Sequence, residues 1–186
     1  MTEYEELVKA IQELLQKNFL VTLENGRQIR FHFPPASFFH LLGLHYISDM
    51  PHVAFAKNKA SLIKQLLKSE MLFRQIQSSA HYAKIRPRIE SFSLVTEMLL
   101  TDKCEIIIEF DKALAPEAKI KSCFLLYKTE DRTTYHILGI AMDDRGLYYP
   151  ETYIVEASRY YVSGQTLLDC QITHREFDYK NKSNKK

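Results

Sequence analysis

The chain of 186 residues contains no tryptophan, only five glycines and only three cysteines. Cys104, Cys123 and Cys170 lie far apart and form no CxxC pair, which excludes a zinc ribbon or a CxxC redox motif. Each cysteine has apolar or β-branched neighbours, a setting typical of buried free thiols in a reducing compartment. We therefore expect three buried, unpaired cysteines.

Long apolar runs are also absent. No stretch reaches the ~18 apolar residues that a membrane-spanning helix requires. The N-terminal residues, MTEYEE, are acidic where a secretory signal is basic and then apolar. These features predict a cytoplasmic protein that does not span a membrane.

The charge balance does not indicate a basic nucleic-acid-binding face. The formal net charge is +2, but four lysines lie in the last seven residues, KNKSNKK. Without them the chain carries 21 basic and 23 acidic side chains, so the pI of about 8.3 reflects this tail. The tail is polar and lacks aromatic residues. We predict one domain over residues 1–178 and a disordered Lys-rich tail over residues 179–186.

The apolar period changes from helical to strand-like along the chain. Helices are predicted over residues 3–18, 37–47, 59–77 and 89–100, with an early hairpin (19–23 and 28–33) around the turn-forming Asn25-Gly26. Strands are predicted over residues 104–110, 122–128, 135–142, 152–157 and 167–177. This order predicts an α+β domain in which N-terminal helices pack on a C-terminal antiparallel sheet.

Two histidines lie five residues apart in the apolar segment SFFHLLGLHY. Successive residues of a helix are ~100° apart, so His40 and His45 would point about 140° apart and could not bind one metal ion. An HExxH motif is absent as well, which excludes a zinc hydrolase of that type. We expect no metal site and no cofactor.

The same helical geometry gives the two histidines different surroundings. His45 falls in the middle of the apolar arc beside Phe38, and we expect it to be a core residue with an internal hydrogen-bond partner. His40 falls between Ser37 and Gly43, where the glycine would open a groove. On these residues alone a structural role for His40 comes first, and a catalytic role is the alternative.

Three segments resemble the fourth group of phage-associated nuclease-like domains related to barnase, EndoU, colicin and RelE, found mainly in phages and mobile elements of Gram-positive bacteria. They are HLLGLH (40–45), RPRIESFSLVTEMLL (86–100) and ILGIAMDDRGLYYPETYIVEASRYYVSGQ (137–165). The resemblance implies helices packed on an antiparallel sheet, with RNA lying across the sheet face. It also implies metal-independent RNA cleavage in which the substrate's own 2′-hydroxyl is the nucleophile.

The resemblance also implies roles for individual residues. His40 matches the histidine of the family's HLLGL motif, Thr152 matches a hydroxyl residue that follows a proline in its strand motif, and Arg88 lies in the basic stretch before the fourth helix. These residues would supply proton transfer and donors to the phosphate. Glu151, beside Thr152, places a carboxylate there that would repel phosphate unless a cation neutralised it.

Two further pairs of residues permit two interpretations each. Tyr149 of YYPETY and Tyr161 of the nearby YY pair either stack on bases or pack against the domain with one wet end. Lys84 and Arg86 of KIRPR either hold phosphates or belong to a solvated linker. All four residues are therefore candidate substrate-binding residues.

Two functions follow from these observations. The first is a metal-independent endoribonuclease that binds and cleaves RNA. The alternative is a catalytically inactive module of the same fold that binds a protein partner, such as an immunity protein. In the enzyme His40, Arg88 and Thr152 should converge on one open cleft, whereas in the binding module they should be scattered or buried.

Overall fold

The computed structural model describes residues 1–101, 104–130 and 133–176, which contain seven α-helices, three short 3₁₀ helices and seven strands. The helices are α1 (Glu3–Leu15), α2 (Ser37–Leu41), α3 (Pro51–Ala54), α4 (Lys59–Leu66), α5 (Glu70–Gln77), α6 (Arg86–Glu90) and α7 (Ser93–Leu100), and the 3₁₀ helices cover Leu44–Tyr46, Tyr82–Lys84 and Lys112–Leu114. The strands are β1 (Lys17–Leu23), β2 (Gln28–His32), β3 (Cys104–Glu109), β4 (Phe124–Glu130), β5 (Thr134–Met142), β6 (Tyr148–Glu156) and β7 (Thr166–Glu176). The predicted tail over residues 179–186 lies outside the described residues.

The seven described strands form one sheet in the order β2-β1-β7-β3-β4-β5-β6, and every pairing within it is antiparallel. The early hairpin turns at Asn25-Gly26, as predicted, and β1 joins the main sheet by pairing with β7 from Lys17↔Glu176 to Leu23↔Cys170. The end strands β2 and β6 approach each other, so the sheet is curled. The predicted α+β class and antiparallel sheet are confirmed.

The two faces of the sheet bury different clusters. Alternate residues of β1, Phe19, Val21 and Leu23, are buried in a large cluster together with helix residues such as Leu14 and Phe38. Each such side chain stabilises the fold by ~1.5–3 kcal/mol relative to an exposed one. Successive strand residues point to opposite faces, and the alternate positions of β3, β4 and β5 form a second, smaller cluster that includes part of the segment 115–120.

Two of the predicted helices are each divided in the structure. The segment 59–77 forms α4 and α5, because the Ser69 hydroxyl accepts a hydrogen bond from the backbone N–H of Leu72 and starts a new helix. The segment 89–100 contains α7, and α6 begins before it at Arg86. Among the described residues, no helix has both the length and the apolar character needed to cross a membrane.

The cysteines agree only in part with the prediction. Cys170 is buried and free, whereas Cys123 is free but only half-buried. Its Sγ lies 3.5 Å from the carbonyl oxygen of Ile140, and burial raises the pKa of its thiol. The side chain of Cys104 lies outside the described residues.

The predicted continuous helix over residues 37–47 is wrong. α2 ends at Leu41, and Gly43 adopts a left-handed conformation with φ of +74° before a 3₁₀ turn. Glycine adopts this conformation without the steric cost that a Cβ imposes. The break turns the chain back, so the ring centroids of His40 and His45 lie only 5.4 Å apart.

Gly43→Ala should destabilise the fold more than Gly26→Ala, although both glycines have positive φ. A Cβ at Gly43 would lie 3.0 Å from Cγ2 of Ile85 and 3.3 Å from Nη1 of Arg88. At Gly26 no described atom beyond its chain neighbours lies within 4 Å of such a Cβ. Urea unfolding should show a loss of about 1 kcal/mol for Gly26→Ala and about 2–3 kcal/mol for Gly43→Ala. Equal losses would contradict the close packing at Gly43.

Candidate active site

An open cleft of about 790 Å³ lies between a helical wall and a strand wall. The helical wall consists of α2, the 3₁₀ turn after it, and the first residues of α4 and α6, and the strand wall consists of β6 and the segment 117–121. Five of the seven predicted site residues line this cleft, namely His40, Arg88, Thr152, Tyr149 and Tyr161. The structure thus brings the three predicted catalytic residues together, while their roles stay predictions.

Lys84 and Arg86 do not line the cleft. Both are exposed, and Nε of Arg86 lies 2.7 Å from Oε1 of Glu90, one helical turn further along α6. An exposed pair of this kind contributes ~0.3–0.5 kcal/mol to stability. The role of Lys84 and Arg86 in substrate binding therefore stays a prediction.

His40 lies at the end of α2, and its Nε2 is 2.9 Å from Nζ of Lys59. Lys59 is the first residue of α4, which is capped by the side chain of Asn58, and its ammonium also lies 4.8 Å from the ring centroid of Phe39. An ammonium group can only donate, so Nε2 accepts and the imidazole is neutral in this contact. Desolvation lowers the pKa of His40, the Lys59 charge lowers it further, and the carboxylate of Glu151 opposes both.

His45 lines the same cleft and is half-buried, so its predicted place in the core is wrong. Its ring centroid lies 4.0 Å from that of Tyr46, and its Nδ1 is shielded from solvent without a hydrogen-bond partner among the described residues. Burial lowers the pKa of His45 to about 4, and the charges of His40, Arg88 and Lys59 contribute. The ring is therefore neutral at pH 7.

Arg88 reaches the cleft from α6 and forms no ion pair within the part of the chain that the structure describes. Its Nη1 donates to the backbone carbonyl of His40 at 3.3 Å, and its Cζ lies 5.5 Å from the ring centroid of Tyr46. Burial lowers the pKa of Arg88, yet a guanidinium stays charged at neutral pH. A carbonyl and an aromatic ring thus orient this charge without neutralising it, which leaves it able to bind an anion.

Thr152 is presented to the cleft beside a β-bulge in β6. Gly139 of β5 pairs with Thr152 and Ile140 pairs with Pro150, so Glu151 is the extra residue. A Cβ at Gly139 would lie 2.9 Å from Cγ2 of Thr152, so the glycine provides the room that this side chain occupies. Bulges change the direction of side chains and are common beside active sites.

The Glu151 carboxylate is held by donors from the neighbouring segment. It accepts the backbone N–H of Lys121 at 2.8 and 2.9 Å and the hydroxyl of Ser122 at 2.6 Å. No Lys or Arg side chain forms an ion pair with it among residues 1–101, 104–130 and 133–176. These three hydrogen bonds stabilise the negative charge of the Glu151 carboxylate, which lies beside Thr152 in the sequence.

The cleft differs in charge from the body of the chain. Two carboxylates line it, Glu117 and Glu151, against four cationic side chains, Lys59, Arg88, Lys119 and Lys121. Folding therefore concentrates positive charge in a chain whose body is slightly acidic. Within the described residues, no group of three or more His, Cys, Asp or Glu side chains is placed to hold a metal ion.

Sequence reasoning missed three groups on the helical wall, namely His45, Tyr46 and Lys59. For His45 and Tyr46 the signal was Gly43, since a glycine inside an apolar run marks either a packing site or a helix end. No local signal identified Lys59, because only the packing of α4 against α2 brings it to His40.

Comparison with protein families gave a match over nearly the whole chain. A family model described as phage-Barnase-EndoU-ColicinE5/D-RelE like nuclease4 matches residues 5–186. No curated protein matches the chain, and no solved structure matches it. The matched residues include both walls of the cleft, and the match confirms the resemblance seen in the three sequence segments.

The free energy of unfolding should fall as the pH falls from about 6.5 towards 4, and His45 should cause part of that loss. Its folded-state pKa of about 4 lies below the ordinary value of 6.5, so the unfolded state binds more protons in this window. The stability from neutral His45 is complete above pH 6.5 and is lost on acidification. Urea unfolding at pH 7 and pH 5 should show a weaker pH dependence for His45→Gln.

His52→Gln is the matched control for this measurement. His52 is exposed on α3 and does not line the cleft. Its replacement should leave the pH dependence of stability as in the wild type. If His45→Gln also kept the wild-type dependence, the shielding of His45 from solvent would be contradicted.

Proposed function

We propose that this chain, which belongs to the phage-Barnase-EndoU-ColicinE5/D-RelE like nuclease4 family, cleaves RNA in the cleft around His40. The observation that carries this proposal is the presence of His40, Arg88 and Thr152 on one open cleft. Such convergence is what distinguishes the enzyme from an inactive protein-binding module. The positive charge of the cleft suits a polyanion.

His40 is the proposed general base. A base must be unprotonated at the working pH and must lie within hydrogen-bond reach of the proton that it removes. The lowered pKa keeps the His40 imidazole neutral near pH 7. In the reaction, His40 takes the proton of the 2′-hydroxyl, the 2′-oxygen bonds to phosphorus and the bond to the 5′-oxygen breaks. The leaving 5′-oxygen then takes a proton from the imidazolium or from water.

Arg88 and Thr152 are the proposed donors to the phosphate. Negative charge grows on the non-bridging oxygens as the 2′-oxygen attacks, and donors fixed in advance stabilise it most. The Arg88 guanidinium is oriented by the His40 carbonyl and the Tyr46 ring. Thr152 lines the cleft directly after the bulge at Glu151.

Tyr149 and Tyr161 are the proposed contacts to bases or sugars. Both line the cleft near the phosphate donors, and a base stacked on an aromatic ring gains ~1–3 kcal/mol. Burial raises the pKa of both phenols, so they keep their protons at neutral pH and remain hydrogen-bond donors. Both residues therefore combine a stacking face with a polar end.

Replacing His40 with Ala should lower the rate of RNA cleavage in the presence of EDTA by ~10²–10⁴-fold, since a positioned base contributes that much. The assay uses purified protein, total RNA and electrophoresis of the products. His52→Ala, a change at an exposed histidine outside the cleft, should keep the wild-type rate. Full activity of His40→Ala would contradict the proposed base. Failure of the wild type to cleave any RNA would favour the protein-binding module.

Arg88→Ala should lower kcat by ~10²–10³-fold, the usual effect of losing one donor to a developing oxyanion. Arg88→Lys should recover only part of it, because an ammonium lacks the planar fork of the guanidinium. The control is Arg74→Ala on α5. Arg74 forms an ion pair with Glu70, with 2.9 Å between Nη2 and Oε1, and it does not line the cleft. Thermal unfolding of each variant separates loss of function from loss of fold. Equal rates for Arg88→Ala and Arg74→Ala would remove Arg88 from the mechanism.

A further inference from the structure

We propose that Lys59 takes part in the reaction by exchanging partners: it donates to Nε2 of His40 in the free protein and moves to the phosphate when RNA binds. The first contact holds the His40 ring in one tautomer, and the exchange frees Nε2 to accept a proton. The contact in the free protein rests on geometry alone. The exchange rests on the proposed ribonuclease function.

The contact is well defined by its surroundings. Nζ of Lys59 lies 2.9 Å from Nε2 of His40 and 4.8 Å from the ring centroid of Phe39, the residue before His40. The Asn58 side chain accepts the backbone N–H of Ser61 at 2.9 Å, which fixes the start of α4 where Lys59 stands. Among the described residues Lys59 forms no ion pair with a carboxylate. Its positive charge is therefore available to another anion.

The contact determines where the His40 proton lies. Lysine donates and never accepts, so Nε2 carries the lone pair and the ring proton sits on Nδ1. Protonation of Nε2 would place two cations 2.9 Å apart. The lysine thus disfavours the imidazolium form in the free protein: desolvation lowers the pKa of His40, and the Lys59 charge lowers it further.

The other charged groups around His40 act less directly. His45, on the 3₁₀ turn, is neutral at pH 7, and Arg88, on α6, contacts the backbone carbonyl of His40 and not its ring. Glu151, on β6, favours the protonated ring, but its carboxylate accepts hydrogen bonds from the backbone N–H of Lys121 and the hydroxyl of Ser122. The more distant charges on the cleft lining are Glu117, Lys119 and Lys121. Lys59 is therefore the charge that dominates the ring.

A phosphate is a better partner for the ammonium than an imidazole is. The ammonium and a phosphate carry opposite full charges and attract each other by Coulomb's law, whereas the imidazole ring offers only the lone pair of a neutral group. A phosphate bound at Arg88 and Thr152 would lie in the same cleft as Lys59 and would attract its Nζ away from Nε2. The base would then become free when its substrate arrives, and the lysine would add charge to the phosphate.

The test is a pH titration of the His40 ring by NMR of ¹⁵N-labelled protein. At pH 7 the wild type should show an unprotonated Nε2 and a protonated Nδ1. In Lys59→Met the pKa of His40 should rise, because the neighbouring cation is gone. Lys59→Arg, which keeps the charge, should titrate close to the wild type. Lys64→Met, at an exposed position of the same helix, is the matched control and should change nothing.

The exchange is tested with a short DNA oligonucleotide, which lacks the 2′-hydroxyl and cannot be cleaved by this route. Saturation of the wild type should shift the Lys59 Nζ resonance, and saturation of Lys59→Met should raise the His40 pKa less than in the wild type. A His40 titration unchanged in Lys59→Met would overturn the contact. A Lys59 resonance that stays constant at saturation would overturn the exchange. These readouts do not require cleavage, so they decide the role of Lys59 even if the ribonuclease proposal fails.

Discussion

Gly43 follows α2 with φ of +74°, and the side chains of Ile85 and Arg88 pack closely against the position that a Cβ would occupy. This turn determines the helical wall of the cleft. It brings the His45 ring to 5.4 Å from that of His40 and sets Tyr46 beneath the Arg88 guanidinium. A continuous helix would have carried His45 to the opposite side. The close approach of α6 also lets Arg88 donate to the carbonyl of His40, so one contact joins the proposed base to the proposed phosphate donor.

The strand wall depends on a second local irregularity, the extra residue Glu151 in β6. The missing side chain at Gly139 makes room for Thr152, and the Glu151 carboxylate binds the backbone N–H of Lys121. This carboxylate therefore secures the segment that brings Lys119 and Lys121 to the cleft. A residue that would repel phosphate as a free charge contributes here to the shape of the site. Its effect on the cleft is offset by four cationic side chains, which the net charge of the chain did not reveal.

Periodicity and turn chemistry predicted much of the fold, because both are local. The Asn25-Gly26 hairpin and the antiparallel strands follow from two-residue alternation and a favoured turn. The family resemblance identified His40, Arg88 and Thr152, which share one cleft. The position predicted for His45 from helical geometry was wrong, because the chain changes direction at Gly43. Lys59 could not be found from sequence at all, because its contact with His40 is made by the packing of two helices.

The ends of the products test most directly whether the cleft around His40 cleaves RNA by attack of the 2′-hydroxyl, as proposed. Purified protein is incubated with a defined RNA in EDTA, and the fragments are analysed by mass spectrometry. The expected products are fragments that end in a 2′,3′-cyclic phosphate, paired with fragments that begin with a 5′-hydroxyl. Products with 5′-phosphate ends, or cleavage that stops when EDTA is added, would contradict the proposal.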